Sequence, residues 1–271
     1  MTHSLTLDWP LDRIAVLTFS DSGRGNQLCW AAVDDMAAQL RECREAGARV
    51  VVLASGLPGH WFEHAWLRDL GNGLEGREQT GAGTGWFTVP KELGHEEIIS
   101  IAAISGDSSG GGAELGWACD LRIAEEQARF SQPEVHMGLT TGIGGCSRLL
   151  RLAGRAATTE MVLTGRPMGA RRLYELGALN RVVEPGGALA AALDYAALLV
   201  TKSPGALAGL KRILGAAGDL PLDEALAHEQ AVFQSVVLGD DARAGMRDTQ
   251  QAYDNGASVA SRHDYSRWSD A

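Results

Sequence analysis

Short, unbroken apolar runs alternate with amphipathic stretches along this chain, and that rhythm predicts strands followed by helices. Ile14–Phe19 (IAVLTF), Val50–Ala54 (VVVLA) and Ile98–Ile104 each read as a strand buried on both faces, because no polar residue breaks the run. Between the first two, Val33, Met36, Ala37 and Leu40 recur at helical steps, which predicts a helix over Trp30–Ala46 with one apolar face. A further strand is predicted at Leu121–Ala124. Gly71 to Gly85 is glycine-rich and aperiodic, so it reads as a long loop of the kind that is functional or mobile. From Ala188 onward the pattern predicts only helices, at Ala188–Val200, Pro204–Ala216 and Leu222–Leu238. The expected organisation is an α/β core over residues 1–200 with a helical region over residues 201–271. The polar end, Asn255–Ala271, is expected to be loosely held.

Composition narrows the function classes. The 271 residues are 45% hydrophobic and 21% charged, as in an ordinary globular protein. A net charge of −10 argues against a general nucleic-acid role, since phosphate backbones are met by basic surfaces. Cys29, Cys43, Cys119 and Cys146 are scattered with no C-x-x-C pair, so neither structural zinc nor a disulfide framework is expected. The opening MTHSLTLDWPLDR has no basic segment leading into an apolar run, and no stretch nears the roughly 18 apolar residues of a membrane span. The expectation is a soluble, cytoplasmic protein that binds neither membrane nor nucleic acid.

The chemistry concentrates in Ile101–Asp120, IAAISGDSSGGGAELGWACD. Gly106 to Gly110 matches G-x-S-x-G, the nucleophile elbow of a serine hydrolase, with Ser108 as nucleophile and His136, His228 or His263 as base. Three glycines in a row before the helix, and no HGGG-type segment upstream, fit that motif poorly. A phosphate loop fits worse, because the closing Lys-Ser/Thr is missing and Glu114 would face the phosphate. A third reading has backbone N–H groups at a helix N-terminus stabilising an oxyanion. In that reading Glu114 and Glu134, 20 residues apart, meet over one pocket as acid and base held at unlike pKa values. The bland alternative leaves both glutamates on the surface or in ion pairs.

The run ISGDSSGGGAELGWACDLRIAEEQARFSQPEVHMGL, with TTGIGGCSRLLRLAG and LTGRPMGARRLYELGALNRVVEPG, resembles the crotonase (enoyl-CoA hydratase/isomerase) superfamily. The resemblance implies an α/β fold: a crotonase-like ββα spiral core with stacked sheets and a C-terminal helical region that packs on the core or a neighbour. It implies one oxyanion-hole N–H at Gly111 and catalytic acid–base roles for Glu114 and Glu134. The implied substrate is an acyl-CoA, with coenzyme A as part of the substrate and no separate cofactor or metal. The implied assembly is a homotrimer, or a hexamer made of two trimers. The implied reaction is addition of water to an enoyl thioester. Isomerisation, decarboxylation or carbon–carbon hydrolysis of a β-diketone are the other reactions of such a fold, and a non-catalytic binding role stands as a further alternative.

The chain departs from that family at the second oxyanion donor. A segment like F-C-A-G-A-D-L is replaced by Trp61-Phe62-Glu63-His64-Ala65-Trp66-Leu67, so Ala65 would supply the N–H while Trp66 replaces an aspartate and His64 a small residue. Thr141 stands where a proline is usual before the turn at Gly142. Trp61, Phe62, His64, Trp66, Trp86 and Gly142 are therefore the expected substrate-binding positions, the tryptophans and Phe62 as pocket lining or else as core. A narrowed or redirected acyl tunnel, with poor activity on crotonyl-CoA, is the expected consequence. His64 reads either as a base or as a partly buried structural histidine. Arg148, Arg151 and Arg155 share a helix face and read as a solvated basic stripe, with coenzyme A phosphates as the alternative ligand.

Overall fold

The structure, a computed structural model, describes residues 3–263. Strands β1 (Ser4–Leu11), β2 (Ile14–Ser20) and β3 (Gln27–Leu28) precede helix α1 (Trp30–Glu45). Strands β4 (Val50–Ser55), β5 (Gly59–His60) and β6 (Glu63–Ala65) lead to helices α2 (Leu67–Leu74) and α3 (Gly85–Leu93). Strands β7 (Ile99–Ile104) and β8 (Gly106–Ser109) feed α4 (Gly110–Ala118), and β9 (Leu121–Glu125) and β10 (Arg129–Ser131) follow. After a 3-10 turn at Pro133–Met137 come α5 (Ser147–Thr164), β11 (Met168–Gly169), α6 (Ala170–Glu175), β12 (Arg181–Val183) and α7 (Ala188–Leu199). The remaining helices are α8 (Pro204–Ala217), α9 (Leu222–Val237), α10 (Asp240–Asp254) and α11 (Val259–His263). Of the polar end, residues 264–271 lie outside the described part. Among the described residues, no helix is long and apolar enough to cross a membrane.

The chain divides into two compact units, Met1–Val200 and Thr201–Ala271. In the first, a six-stranded sheet runs β1-β2-β4-β7-β9-β12 and a four-stranded sheet runs β11-β10-β8-β5, with β3 and β6 forming a separate pair. Among the described residues, only β1–β2 and β10–β11 pair antiparallel. The register stacks Val16, Val52, Ile101 and Leu121 across four parallel strands. Every residue of β7 is buried, as its unbroken apolar run requires. Helix α1 buries Ala32, Val33, Met36, Ala37, Leu40 and Cys43, the face that its periodicity predicts. Fully burying side chains such as Leu40 contributes about 2 kcal/mol each.

The long glycine-rich segment turns out to be tied down. Asp69 at the start of α2 accepts hydrogen bonds from the backbone of Trp30 and Thr80, both at 2.8 Å. Asp34 on α1 accepts from the amides of Ala82, Gly83 and Gly85 at 2.7–2.9 Å. Those bonds deliver α3, and with it Trp86, to a fixed place against α1. In the second unit α8 lies against α9, where a Cβ on Gly209 would stand 2.8 Å from Val236 and 3.3 Å from Val232. On α9, Val232 is buried while Leu226 and Phe233 stay more than half exposed in the single chain.

The approach of α3 to α1 is close enough to be tested. A Cβ on Gly85 would stand 2.1 Å from the carbonyl oxygen of Val33, so the two helices must part to admit it. Gly85→Ala is expected to cost about 3 kcal/mol of stability. Urea denaturation will show this as a lower midpoint with an unchanged slope.

Candidate active site

Helix α4 begins with Gly110, Gly111 and Gly112, and the backbone around the first and third shows why. Gly110 has φ +47°, and a Cβ on it would stand 2.8 Å from His64 Cβ and 3.1 Å from Glu134 Oε1. A Cβ on Gly112 would fall 2.2 Å from the carbonyl oxygen of Phe62. The first turn of α4 therefore lies directly on the backbone of the Phe62–Ala65 corner. At Gly111 the same construction lands 2.8 Å from the Trp86 ring and 3.7 Å from the Ala65 nitrogen. The backbones of Gly111 and Ala65, the two expected oxyanion donors, are thus brought side by side. The opening N–H groups of a helix have no partner within it, and they carry its positive dipole end.

The serines of the G-x-S-x-G match hold this corner. Ser108 is 2% exposed and its hydroxyl donates to the Phe62 carbonyl at 2.9 Å. That proton is committed and the oxygen is shut from solvent, so Ser108 is a structural residue and not a nucleophile. Ser109 accepts from the His64 amide at 3.1 Å and donates to Glu63 Oε2. Glu63 in turn bonds His60 Nδ1 at 2.9 Å. Across the corner Asn26 donates to the Trp61 carbonyl, and Leu28 O accepts from the Trp66 amide, each at 2.8 Å. The Ser109–Glu63–His60 chain was invisible in the sequence, because its members lie up to 49 residues apart with no motif to connect them.

The aromatic residues of the corner divide. Trp61 and Phe62 are 0% exposed and stack on one another, centroids 4.0 Å apart, with Phe62 also edge-on to Phe19. Their side chains are core, which corrects their expected place in an acyl tunnel: the segment ahead of β6 turns them inward. Trp66 is half-buried with Arg24 and Arg68 over its ring at 4.6 and 5.3 Å. It meets cations with a π face where an aspartate would meet them with charge. The ring that does touch the site is Trp86. It lines a cavity of about 400 Å³ together with Phe87, Pro90, Lys91, Ile143 and Arg148.

The two glutamates arrive from different elements. Glu114, one turn along α4, is 3% exposed, and its Oε1 accepts from the amides of Ile143 (3.0 Å) and Gly145 (2.6 Å). Those two bonds compensate a buried carboxylate and fix the segment ahead of α5. Gly142, expected to bind substrate, adjoins that segment but is exposed, and a Cβ there would meet nothing within 4 Å. Glu134 follows β10, which pairs in parallel with β8 at Phe130–Ser108 and Ser131–Ser109 and so returns the chain to Gly110. That pairing is the physical content of the 20-residue spacing.

Gln132 orients Glu134. Its amide is fully buried, and in the orientation that satisfies both neighbours its oxygen accepts from Trp117 Nε1 at 3.2 Å and its nitrogen donates to Glu134 Oε1 at 3.0 Å. Burial pushes the Glu134 carboxyl up to about 7. Its own backbone amide pulls against that rise and the charge of Glu114 adds to it. His64 is half-buried, and its Nδ1 donates to the Ala65 carbonyl at 2.8 Å. A carbonyl only accepts, so Nδ1 carries the proton. His64 Cβ and Glu134 Oε1 both lie within about 3 Å of one point beside Gly110.

The family model described as Enoyl-CoA hydratase/isomerase matches residues 12–253. The chain belongs to the enoyl-CoA hydratase/isomerase family. It is 40% identical over 146 residues, 54% of its length, to a "Probable enoyl-CoA hydratase" of Rhizobium meliloti (strain 1021). It is 36% identical over 146 residues to a short-chain-enoyl-CoA hydratase of Clostridium acetobutylicum. These matches span 57% and 56% of those proteins, little more than half their lengths. A carnitinyl-CoA dehydratase of Salmonella enteritidis is 33% identical over 73% of this chain and 76% of its own. The crystal structure of enoyl-CoA hydratase from Mycobacterium tuberculosis H37Rv is similar at a TM-score of 0.80 and 28% identity, covering 91% of this chain and 95% of that one. The crotonase-like fold is therefore shared across nearly the whole chain.

The raised carboxyl predicts a stability signature separable from catalysis. A glutamate protonated in the fold up to pH about 7, but ionised above about 4.5 when unfolded, stabilises the native state below 4.5. That contribution is lost as pH rises toward 7. Glu134→Gln keeps the neutral shape at every pH, so its Tm is expected to match wild type at pH 4.5 and to exceed it at pH 8. Calorimetry at the two pH values checks this, and an equal Tm at pH 8 would show Glu134 to be ordinarily solvated.

Proposed function

We propose that this protein adds water across the double bond of an α,β-unsaturated acyl-CoA thioester, or removes it in the reverse direction. The observation that carries the reading is a pair of adjacent backbone amides, at Gly111 and Ala65, flanked by two carboxylates in unlike environments. The thioester oxygen accepts from both amides, which stabilise the enolate-like charge that develops there. Glu114 Oε1 is occupied by two amides, and its Oε2 makes no hydrogen bond among the described residues. Oε2 takes a proton from water as the water oxygen bonds the β-carbon. Glu134, protonated by virtue of its raised pKa, gives its proton to the α-carbon. Exchange with solvent returns one proton to Glu134 and removes one from Glu114, so the net change is one water added. Coenzyme A enters as part of the substrate, and the protons and charge are handled by the chain's own groups. The exposed Leu226 and Phe233 on α9 support association of copies, and a homotrimer or dimer of trimers is proposed.

Glu134→Gln is expected to lower turnover about a hundredfold or more on an enoyl-CoA substrate. Glu114→Gln should impair hydration while sparing proton exchange next to the carbonyl. Because hydration uses Glu134 as an acid, kcat/KM for hydration should fall as pH rises through about 7, while dehydration rises over the same range. Loss of the conjugated thioester absorbance measures both directions, and profiles of the same sign would remove Glu134 from the proton transfer. Turnover confined to free β-diketones would replace the reading with carbon–carbon hydrolysis.

Light scattering at micromolar concentration is expected to give a trimer or hexamer. A monomer would overturn the assembly.

A further inference from the structure

The cavity beside Trp86 has an uneven chemistry. Trp86, Phe87, Pro90 and Ile143 give apolar walls, while Lys91 and Arg148 bring two cations and no acidic residue lines it. Lys91 is exposed on α3 and has no ion pair among the described residues. Arg148 is half-buried on α5 and donates to the Ile143 carbonyl, which fixes its guanidinium at the cavity without neutralising it. Arg151, by contrast, donates back to its own helix at Ser147. Arg148 is thus set apart from the solvated stripe that the sequence suggested.

The position of the cavity tells what would fill it. The Trp86 ring that forms one wall also abuts Gly111, and Ile143 at another wall is held by Glu114. On the proposed reading, a thioester oxygen at Gly111 places the acyl chain, and not the distant phosphates of coenzyme A, at this opening. An all-hydrocarbon chain would satisfy the aromatic walls and leave both cations unanswered. We propose that the preferred acyl group ends in a carboxylate, so that the substrate is the mono-thioester of an unsaturated dicarboxylic acid. The methylenes lie along Trp86 and Ile143, and the terminal carboxylate pairs with Lys91 and Arg148. Lys91 and Arg148 are then specificity-determining residues that take no part in the proton transfers.

The inference rests on the Gly111–Ala65 thioester site, and binding tests it apart from catalysis. Glutaryl-CoA and pentanoyl-CoA have five-carbon acyl chains and share every phosphate, so their affinities differ only through the terminal group. Calorimetry on the full chain should find glutaryl-CoA bound about tenfold more tightly, the size of one charge-assisted pair. Lys91→Gln should bring that ratio toward one and Lys91→Glu should invert it. Lys91 is exposed, so neither change threatens the fold. Equal affinity of the two ligands in the wild type, or a loss in Lys91→Gln that is the same for both, would overturn the proposal, the second result assigning Lys91 to the phosphates. A protein that shows the tenfold ratio yet hydrates no enoyl-CoA would refute the hydratase reading and leave this one standing.

Discussion

The first turn of α4 rests on bare backbone, and the arrangement of the site follows from that contact. Gly112 has room for no side chain because the Phe62 carbonyl occupies the place, and Gly110 must adopt a positive φ to enter the helix beside His64. Strand β8 meets the same corner from behind, through Ser108 on the Phe62 carbonyl and Ser109 on the His64 amide. A helix held this closely against a strand end cannot slide or rotate without breaking several short contacts together. Its N-terminal backbone therefore lies fixed against the corner, where a Cβ on Gly111 would stand 3.7 Å from the Ala65 nitrogen.

The same helix separates the two carboxylates in character. Glu114 is rooted one turn beyond the glycines, deep enough to be almost inaccessible, and two loop amides supply what water would otherwise give it. Glu134 comes in from β10 with a neutral amide, Gln132, as its orienting partner, and that partner is itself anchored on Trp117 of α4. Neutral donors compensate an ionised carboxylate less than a cation would. Burial therefore prevails at Glu134, and Glu114 adds to the rise by its charge. The two carboxylates differ in their surroundings because one element gives its carboxylate amides and the other gives its carboxylate cover.

Much of this was legible from residue order alone. The unbroken apolar runs located β2, β4 and β7, and the helical spacing located α1, since burial on both faces or on one face leaves a direct mark on the sequence. The glycine run was readable because close backbone approach restricts residue type, and the 20-residue spacing brings Glu114 and Glu134 near one another. Strand β1 was missed: it is mostly exposed, carries Pro10 and shifts register after Asp8, so it lacks an apolar signal. Helices α2 and α3 were hidden in the glycine-rich segment because Gly71, Gly73 and Gly85 sit inside them. Gly85 is there for helix contact and not for a turn. Trp61 and Phe62 were equivocal because inward or outward direction in the short segment between β5 and β6 depends on partners such as Phe19, far away in sequence.

The corner also shows where such a site can change. What the chemistry requires of Ala65 is an N–H in a fixed direction, and that direction is set by backbone bonds from Leu28, Asn26 and Ser109 to its neighbours. The side chains at positions 64 and 66 supply none of those bonds. A tryptophan at position 66 can face Arg24 and Arg68 where an aspartate is usual, and a histidine can sit beside Gly110, without moving either amide. Along α3 and the start of α5 the freedom is greater still, because Trp86, Lys91 and Arg148 border the space that the acyl chain would enter and hold no donor in place within α4. The backbone contact holds Gly111 beside Ala65 while the side chains around it are free to differ.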